Sequence, residues 1–421
     1  MEMNRRDCLK AVACVGGMSL FQGCSSVNSR SVNVRGEVGV SIDDLDKAAN
    51  KKVLHLAGIN SPMVIDSIEL LKKGDEYMVH VRSKEGAEGV SFHNGLGPTL
   101  YPILNQRVIP FFIGKDARTL EEDLWELYRY KSNYKLQGLA FWSTTAWVEF
   151  AILDMIGRAY NKSYGDLLGG VVREKVPFYV ASGRRDTTPQ EEVEYLGGLL
   201  QETGAKAVKF RVGGRMSRNA DAMPGRTEQL IQLVRKTWGD TIDIHADSNS
   251  SYDPPEAIRV GRLLEEAKAV YFEEPCPFDH LEDTKHVADA LTIPVSGGEQ
   301  EFSERRFRWM IYNRGVDIVQ PDLHYYGGLI RSRRVAQMAD VAGMPTTTHI
   351  SGGFGFIYML HFASVTSKIG HYQEYKRGIE RYGDWFDPPL KIIDGALTVP
   401  RGSGVGIKDI RTVLQGAKPL A

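Results

Sequence analysis

One ladder of polar residues limits what this chain can fold into. Asp247, Glu273, Glu299, Asp322, His349 and Glu374 follow one another at steps of 26, 26, 23, 27 and 25 residues. Short apolar runs of strand character lead into four of them: Ile242-Asp243-Ile244 before Asp247, Val270-Tyr271-Phe272 before Glu273, Ile293-Pro294-Val295 before Glu299, and Val316 to Val319 before Asp322. A strand, a loop, a helix and a return loop take roughly 25 residues, so each rung is expected at the C-terminal end of the next parallel strand. In a closed β/α barrel those ends meet at one mouth, where active sites sit. A single Asp or Glu after a strand is ordinary turn chemistry; six polar rungs at one period are not.

The residue types on the ladder suit a particular chemistry. Asp247, Glu273 and Glu299 supply the oxygen ligands that Mg²⁺ prefers, and Zn²⁺ fits less well because no Cys or His accompanies them. Asn249 is placed to reach the metal or a substrate oxygen. On the preceding strand candidate, Ala207 to Arg211, alternation puts Lys209 and Arg211 on one face and Phe210 on the other. Two cations at that mouth favour an anionic substrate, most simply a carboxylate on the metal. Arg211 stays protonated and cannot serve as a base. His349 takes a proton near neutral pH, with Asp322 holding its other ring nitrogen. Glu374 is placed to donate a proton or bind a substrate oxygen. Together these groups fit removal of the weakly acidic proton α to a carboxylate, with metal and cations supporting the enediolate. His93, on a loop in Ser91-Phe92-His93-Asn94-Gly95, is a further candidate substrate contact. His245 reads as barrel packing one layer deeper, and Glu274 and Cys276 receive no role.

With 421 residues the chain exceeds one core, so a second domain is expected beside the barrel. Residues 1–35 read as an export signal and tether: Arg5-Arg6, a weakly apolar stretch from Ala11 to Phe21, and Cys24 in a loose lipobox with Gln22 out of pattern. Cys8 stands where a twin-arginine signal usually has Phe. The expectation is an exported, periplasmic protein with a lipid anchor on Cys24. Cys276 is the one cysteine beyond that segment, so the mature chain folds without an internal disulfide. Residues 36–170 read as an α+β cap. It starts with a strand hairpin over 62–92 turned at Gly74 and Gly86. Thr119 is expected to cap the next helix with a carboxylate three residues on, and a helix follows over 143–158. Residues 171–382 form the barrel, with a Gly/Arg/Asn-rich loop insertion at 212–226. Residues 383–421 return to the cap, with a strand pair around Asp394-Gly395. A formal charge of −1 excludes a general field for nucleic acid or anionic lipid.

As a set, these residues resemble the enolase superfamily, in the mandelate racemase/muconate lactonizing enzyme family and its mandelate racemase subgroup. The matching stretches are Leu153-Asp154-Met155-Ile156-Gly157-Arg158, Leu167-Leu168-Gly169-Gly170, Lys209-Phe210-Arg211, Asp247-Ser248-Asn249 and Phe272-Glu273-Glu274-Pro275. Gly297-Gly298-Glu299, Gln320-Pro321-Asp322, Gly327-Gly328, His349, Glu374, Asp394-Gly395 and Gly404-Val405-Gly406 complete the set. The resemblance implies an α/β fold, a modified TIM barrel (β/α)7β with an α+β cap. It also implies Mg²⁺ on Asp247, Glu273 and Glu299, an Asp322–His349 dyad, and homo-oligomers. Arg211 departs from the second lysine that many relatives carry there as a base. That departure favours β-elimination over a two-base proton transfer: an acid-sugar dehydratase giving a 2-keto-3-deoxy acid, ahead of a racemase, epimerase or cycloisomerase. The reading from another class is an exported sugar-acid binding protein.

Overall fold

The computed structural model describes residues 39–420; the paired arginines, Cys24 and the rest of the expected export segment lie outside the described residues. The antiparallel sheet of the cap comprises β1 (Ile65–Lys73), β2 (Glu76–Ser83) and β3 (Glu88–Phe92). Gly74 and Gly86 make the turns at φ +59° and +87°, where a Cβ would be strained.

Helix Leu139–Ala159 packs across β2 and β3 on one flank and meets helix Leu329–Val341 on another. It is long and apolar enough to cross a bilayer, but every residue from Phe141 to Gly157 is buried in protein. Its apolar character on all sides follows from being covered on all sides. Two carboxylates on it are structural. Asp154 accepts from Val90 N and Val405 N, both at 2.9 Å, and from Arg158 Nε at 2.7 Å, tying β3 and the C-terminal tail to the helix. Glu149 accepts from Ile330 N at 3.2 Å, at the start of helix Leu329–Val341. A Cβ on Gly328 would lie 2.2 Å from the Glu149 carboxylate, at a backbone φ of +107°. The glycine pair 327–328 therefore lets the two helices approach.

Burial pushes the Glu149 carboxyl from 4.5 up to about 8, against the backbone N–H groups of Ile330 and Leu329. Below pH 4.5 the folded and unfolded chains both carry this proton. Between 4.5 and 8 the unfolded chain loses it first, so stability falls as pH rises, and above 8 the full penalty applies. Thermal melts from pH 5 to 9 are expected to show E149Q losing less stability than wild type, by on the order of several kcal/mol at the alkaline end. Parallel slopes for the two proteins would contradict a buried proton at Glu149.

The second sheet is parallel. β4 (Lys175–Ala181), β5 (Ala207–Arg211), β6 (Asp243–Asp247), β7 (Tyr271–Glu273), β8 (Val295–Gly297), β9 (Ile318–Val319) and β10 (Gln373–Tyr375) lie in the order β10-β4-β5-β6-β7-β8-β9. Single parallel bridges, Val319–Thr346, Asp322–His349 and Thr346–Ile369, carry the sheet from β9 round to the stretch before β10, and β10 pairs with β4. One helix follows each strand up to the 346–349 segment, from Pro189–Thr203 to Gly355–Val365. The result is the expected (β/α)7β modified TIM barrel beside an α+β cap.

Helix Pro189–Thr203 shows how local chemistry sets these units. Thr188 and Glu191 form a capping box at its start, and Gly204 ends it in the left-handed region at φ +69°. Thr119 does stand at the N-cap of helix Leu120–Arg129, but without a side-chain cap hydrogen bond. Asp116 accepts from Arg118 N, while Thr119 lies within the 3₁₀ turn Ala117–Thr119 and its hydroxyl donates to Asp116 O and Asp123 Oδ2. The strand pair expected at Asp394-Gly395 also differs. It shrinks to one bridge, Ile393–Ala396, because β11 (Ala396–Thr398) finds a three-pair antiparallel ladder on β4 instead. The chain ends at β12 (Lys418–Pro419), which adds to the edge of β1 in the cap.

Candidate active site at the barrel mouth

The parallel register assembles the site. Arg211 pairs with Asp247, Asp247 with Glu273, and Asp322 with His349, so the rungs that follow successive strands stand side by side. Below them His245 stacks on Tyr271 at a ring separation of 4.3 Å and meets Tyr179 at a tilt at 5.1 Å. His245 is a packing residue, as expected. Burial and the Lys209 cation above it pull its imidazole down to about 3, so it stays neutral.

Asp247, Glu273 and Glu299 are buried, and each offers an oxygen within 4.8 Å of the others. Lys209 Nζ donates to both Glu273 oxygens at 2.9 Å and lies 3.6 Å from Asp247 and 3.9 Å from Glu374. Burial works against the ammonium, but Glu273 and Glu374 outweigh it and hold Lys209 above its ordinary range. Arg211 pairs with Asp247 Oδ2, and its Nε donates to Ser182 O at 3.1 Å. Two cations thus face three carboxylates. Glu299 Oε2 is buried without an aligned hydrogen bond. An all-oxygen donor set with surplus negative charge and an orphaned carboxylate oxygen fits a hard divalent cation such as Mg²⁺.

His349 borders this cluster. Its Nδ1 lies 2.7 Å from Asp322 Oδ2, and its Nε2 faces Glu299 Oε2 at 3.4 Å. Asp322 can only accept, so Nδ1 carries the hydrogen and Nε2 keeps its lone pair toward the cluster. Burial opposes the imidazolium, but Glu299 and Asp322 more than offset it and raise His349 above its ordinary value. The other Asp322 oxygen accepts from His324 N, Tyr325 N and Ser351 Oγ, which fixes the carboxylate.

Glu374 accepts from Lys376 Nζ at 3.0 Å and from Ile350 N at 3.2 Å. Burial pushes its carboxyl up, but Lys209 and Lys376 pull it well below the usual carboxylate range. In this arrangement it accepts hydrogen bonds. Asn249 is buried: Oδ1 accepts from Arg185 Nη2 at 2.7 Å, and Nδ2 lies 3.3 Å from Asp247 Oδ2. His93 packs between Tyr77 and Trp147, and its Nδ1 accepts from Gly95 N. Its hydrogen bond and ring contacts do not reach the ladder. Burial, with His324 nearby, pulls it down to about 4. The next residue, Asn94, makes the connection instead, donating to Ser351 Oγ at 3.2 Å.

Sequence reasoning passed over Arg185, Arg215, Tyr325, Ser351 and Lys376. All five follow within a few residues of a strand end or a rung, the one signal that would have drawn attention to them. Cys276 is a buried free thiol, in keeping with an absence of disulfides among the described residues.

Comparison with known proteins adds the following. The family model for the mandelate racemase/muconate lactonizing enzyme N-terminal domain matches residues 55–169, and that for the enolase C-terminal domain-like family matches residues 192–409. The chain is 29% identical over 309 residues to an arabinonate dehydratase of Saccharolobus solfataricus, covering 72% of this chain and 79% of that one. It is 26% identical to a D-galactonate dehydratase of Verminephrobacter eiseniae, covering 71% and 80%. Among solved structures, a Roseobacter denitrificans protein carrying a racemase designation superposes with a TM-score of 0.77 at 33% identity, covering 85% of this chain and 98% of that one. A Paracoccus denitrificans mandelate racemase/muconate lactonizing protein complexed with magnesium gives 0.76 at 24% identity, covering 85% and 99%.

Proposed function

Because the chain belongs to the mandelate racemase/muconate lactonizing enzyme family of the enolase superfamily, we propose that it dehydrates an acid sugar to a 2-keto-3-deoxy acid, with Mg²⁺ as cofactor. The observation that carries this reading is the orientation of His349: Asp322 holds Nδ1, and Nε2 faces the three-carboxylate cluster. The names of the dehydratase relatives support the same class.

Asp247, Glu273 and Glu299 would hold the cation. When bound, it would supply Lewis-acid stabilisation of the charge that builds on the substrate carboxylate. His349 Nε2 takes the proton from the carbon next to that carboxylate. The freed electron pair forms the bond between the α and β carbons, and the β-hydroxyl leaves. The imidazolium returns its proton to that departing oxygen, which becomes water, and the enol left behind tautomerises to the 2-keto acid. Asp322 keeps the imidazole in the productive tautomer and stabilises its charged form. Lys209 stays charged and stabilises the developing anion.

Elimination is favoured over two-base racemisation by the state of β5. Racemisation needs a second base on the opposite face of the α carbon. Arg211 cannot deprotonate, and Lys209 is pinned as a cation by both oxygens of Glu273.

Incubation of acid sugars in deuterated water with Mg²⁺ tests the reading. Keto-acid formation is the expected result. Deuterium entering recovered substrate without keto acid would replace it with a racemase or epimerase. Saturable binding without conversion would replace it with a binding protein.

A further inference from the structure

A cluster of arginines at the mouth is not used by the chemistry above. Arg185 follows β4 and Arg215 lies in the loop after β5. Both approach Asn249 Oδ1, Arg185 Nη2 at 2.7 Å and Arg215 Nη2 at 3.5 Å. Asn249 in turn touches the ligand candidate Asp247. The cluster therefore begins one side chain away from the proposed metal position.

Neither Arg185 nor Arg215 forms an ion pair among the described residues. Three carboxylates on neighbouring loops and helices are engaged elsewhere. Asp221 accepts from Thr227, Asp253 from Asn219 and Glu256, and Glu192 from Thr187 with Arg226 beside it. Burial, with Arg211 and Arg215 close by, pulls the Arg185 guanidinium down to about 10. Arg185 is half-buried beside like charges with no ion pair of its own, and an anion seated between it and the exposed Arg215 would relieve that cost.

The cluster is also built rather than splayed. Arg185 Nε donates to Gly213 O at 3.2 Å, and Met216 N donates to Asn249 O at 3.0 Å. Gly213 turns at φ +62°, where a Cβ would meet Tyr252 and Ser251 within 3 Å. The Gly/Arg-rich insertion is thus fastened to the loop after β6, with the exposed Arg215 side chain beside Asn249.

We propose that Arg185 and Arg215 form a subsite for a second anion, so that the substrate is an acid sugar with a negative group at each end. One end lies on the metal and the other between the two guanidiniums. The planar guanidinium matches a carboxylate, a phosphate or a sulfate ester alike. This inference rests on the acid-sugar reading and narrows it to a dianion.

The test uses the full chain with Mg²⁺. Six-carbon aldaric acids are each paired with the aldonic acid of the same configuration and with its terminal phosphate and sulfate esters. Turnover is measured on wild type, and binding is measured calorimetrically on the inactive H349N protein. At least one dianion is expected to exceed its aldonate by tenfold or more in kcat/KM and in affinity, and the winning ester or diacid identifies the distal group. R215Q and R185Q are each expected to lower that ratio about tenfold, mainly through KM, with R185K intermediate because it keeps charge but not the fork. Equal values across every pair, or a ratio indifferent to both substitutions, would overturn the subsite. If aldonates are dehydrated without any dianion preference, the subsite fails and the dehydratase stands. If nothing is dehydrated but H349N prefers a dianion, the dehydratase fails and the subsite stands.

Discussion

His349→Asn is expected to lower turnover of the acid sugar by about 10³-fold or more, because it removes the group whose Nε2 is turned toward the carboxylate cluster. The fold should survive. The Asn amide can still donate to Asp322, and Asp322 keeps its bonds from His324 N, Tyr325 N and Ser351. Melting within a few degrees of wild type would show this. The variant should also stop exchanging the α hydrogen with deuterated solvent, which separates loss of the base from loss of the later elimination step. Asp322→Asn should cost less, on the order of 10- to 10³-fold, since the base remains but its tautomer and charge are no longer supported. A His349→Asn protein with near-normal turnover would remove the imidazole from the mechanism.

Removing divalent cations is expected to abolish turnover, and re-adding Mg²⁺ to restore it. Asp247, Glu273 and Glu299 bring oxygens within 4.8 Å of one another in a buried site, an arrangement whose repulsion Lys209 and Arg211 only partly offset. Mg²⁺ should therefore stabilise the folded chain as well as activate it. Linkage gives about 2.7 kcal/mol at a hundred times Kd, readable as a saturable rise in Tm. E299Q should lose both the activity and most of the Tm response. Because Glu299 also faces His349 Nε2, the Tm response to Mg²⁺ rather than the activity is the reading that isolates metal binding in this variant. Full activity in a chelator, with no Tm response to Mg²⁺, would remove the cation from the site.

Much of this site was legible before any coordinates. The rung spacing reported the barrel because a β/α unit has a nearly constant length, and alternation placed Lys209 and Arg211 on one face because strand side chains repeat every two residues. The glycine pair at 327–328 was visible as a pattern, but its cause was not. It makes room for Glu149, which lies 179 residues earlier and reads in sequence as one more charge on a helix. The partners of Glu374 and Asn249 were hidden for a similar reason. Lys376 and Lys209 lower the Glu374 carboxyl, and Arg185 donates to the Asn249 amide oxygen. Each partner comes from another loop or strand.

Local order along the chain determined the barrel, the six rungs and their chemical types, since these depend on periodicity and on the intrinsic acidity of side chains. Tertiary structure alone decided which charges meet. It set Lys209 on Glu273, Arg211 on Asp247, and Arg185 and Arg215 on Asn249 with no acid of their own. Electrostatic interaction falls with distance through space rather than along the backbone, so partners far apart in sequence become readable only once the strands have closed.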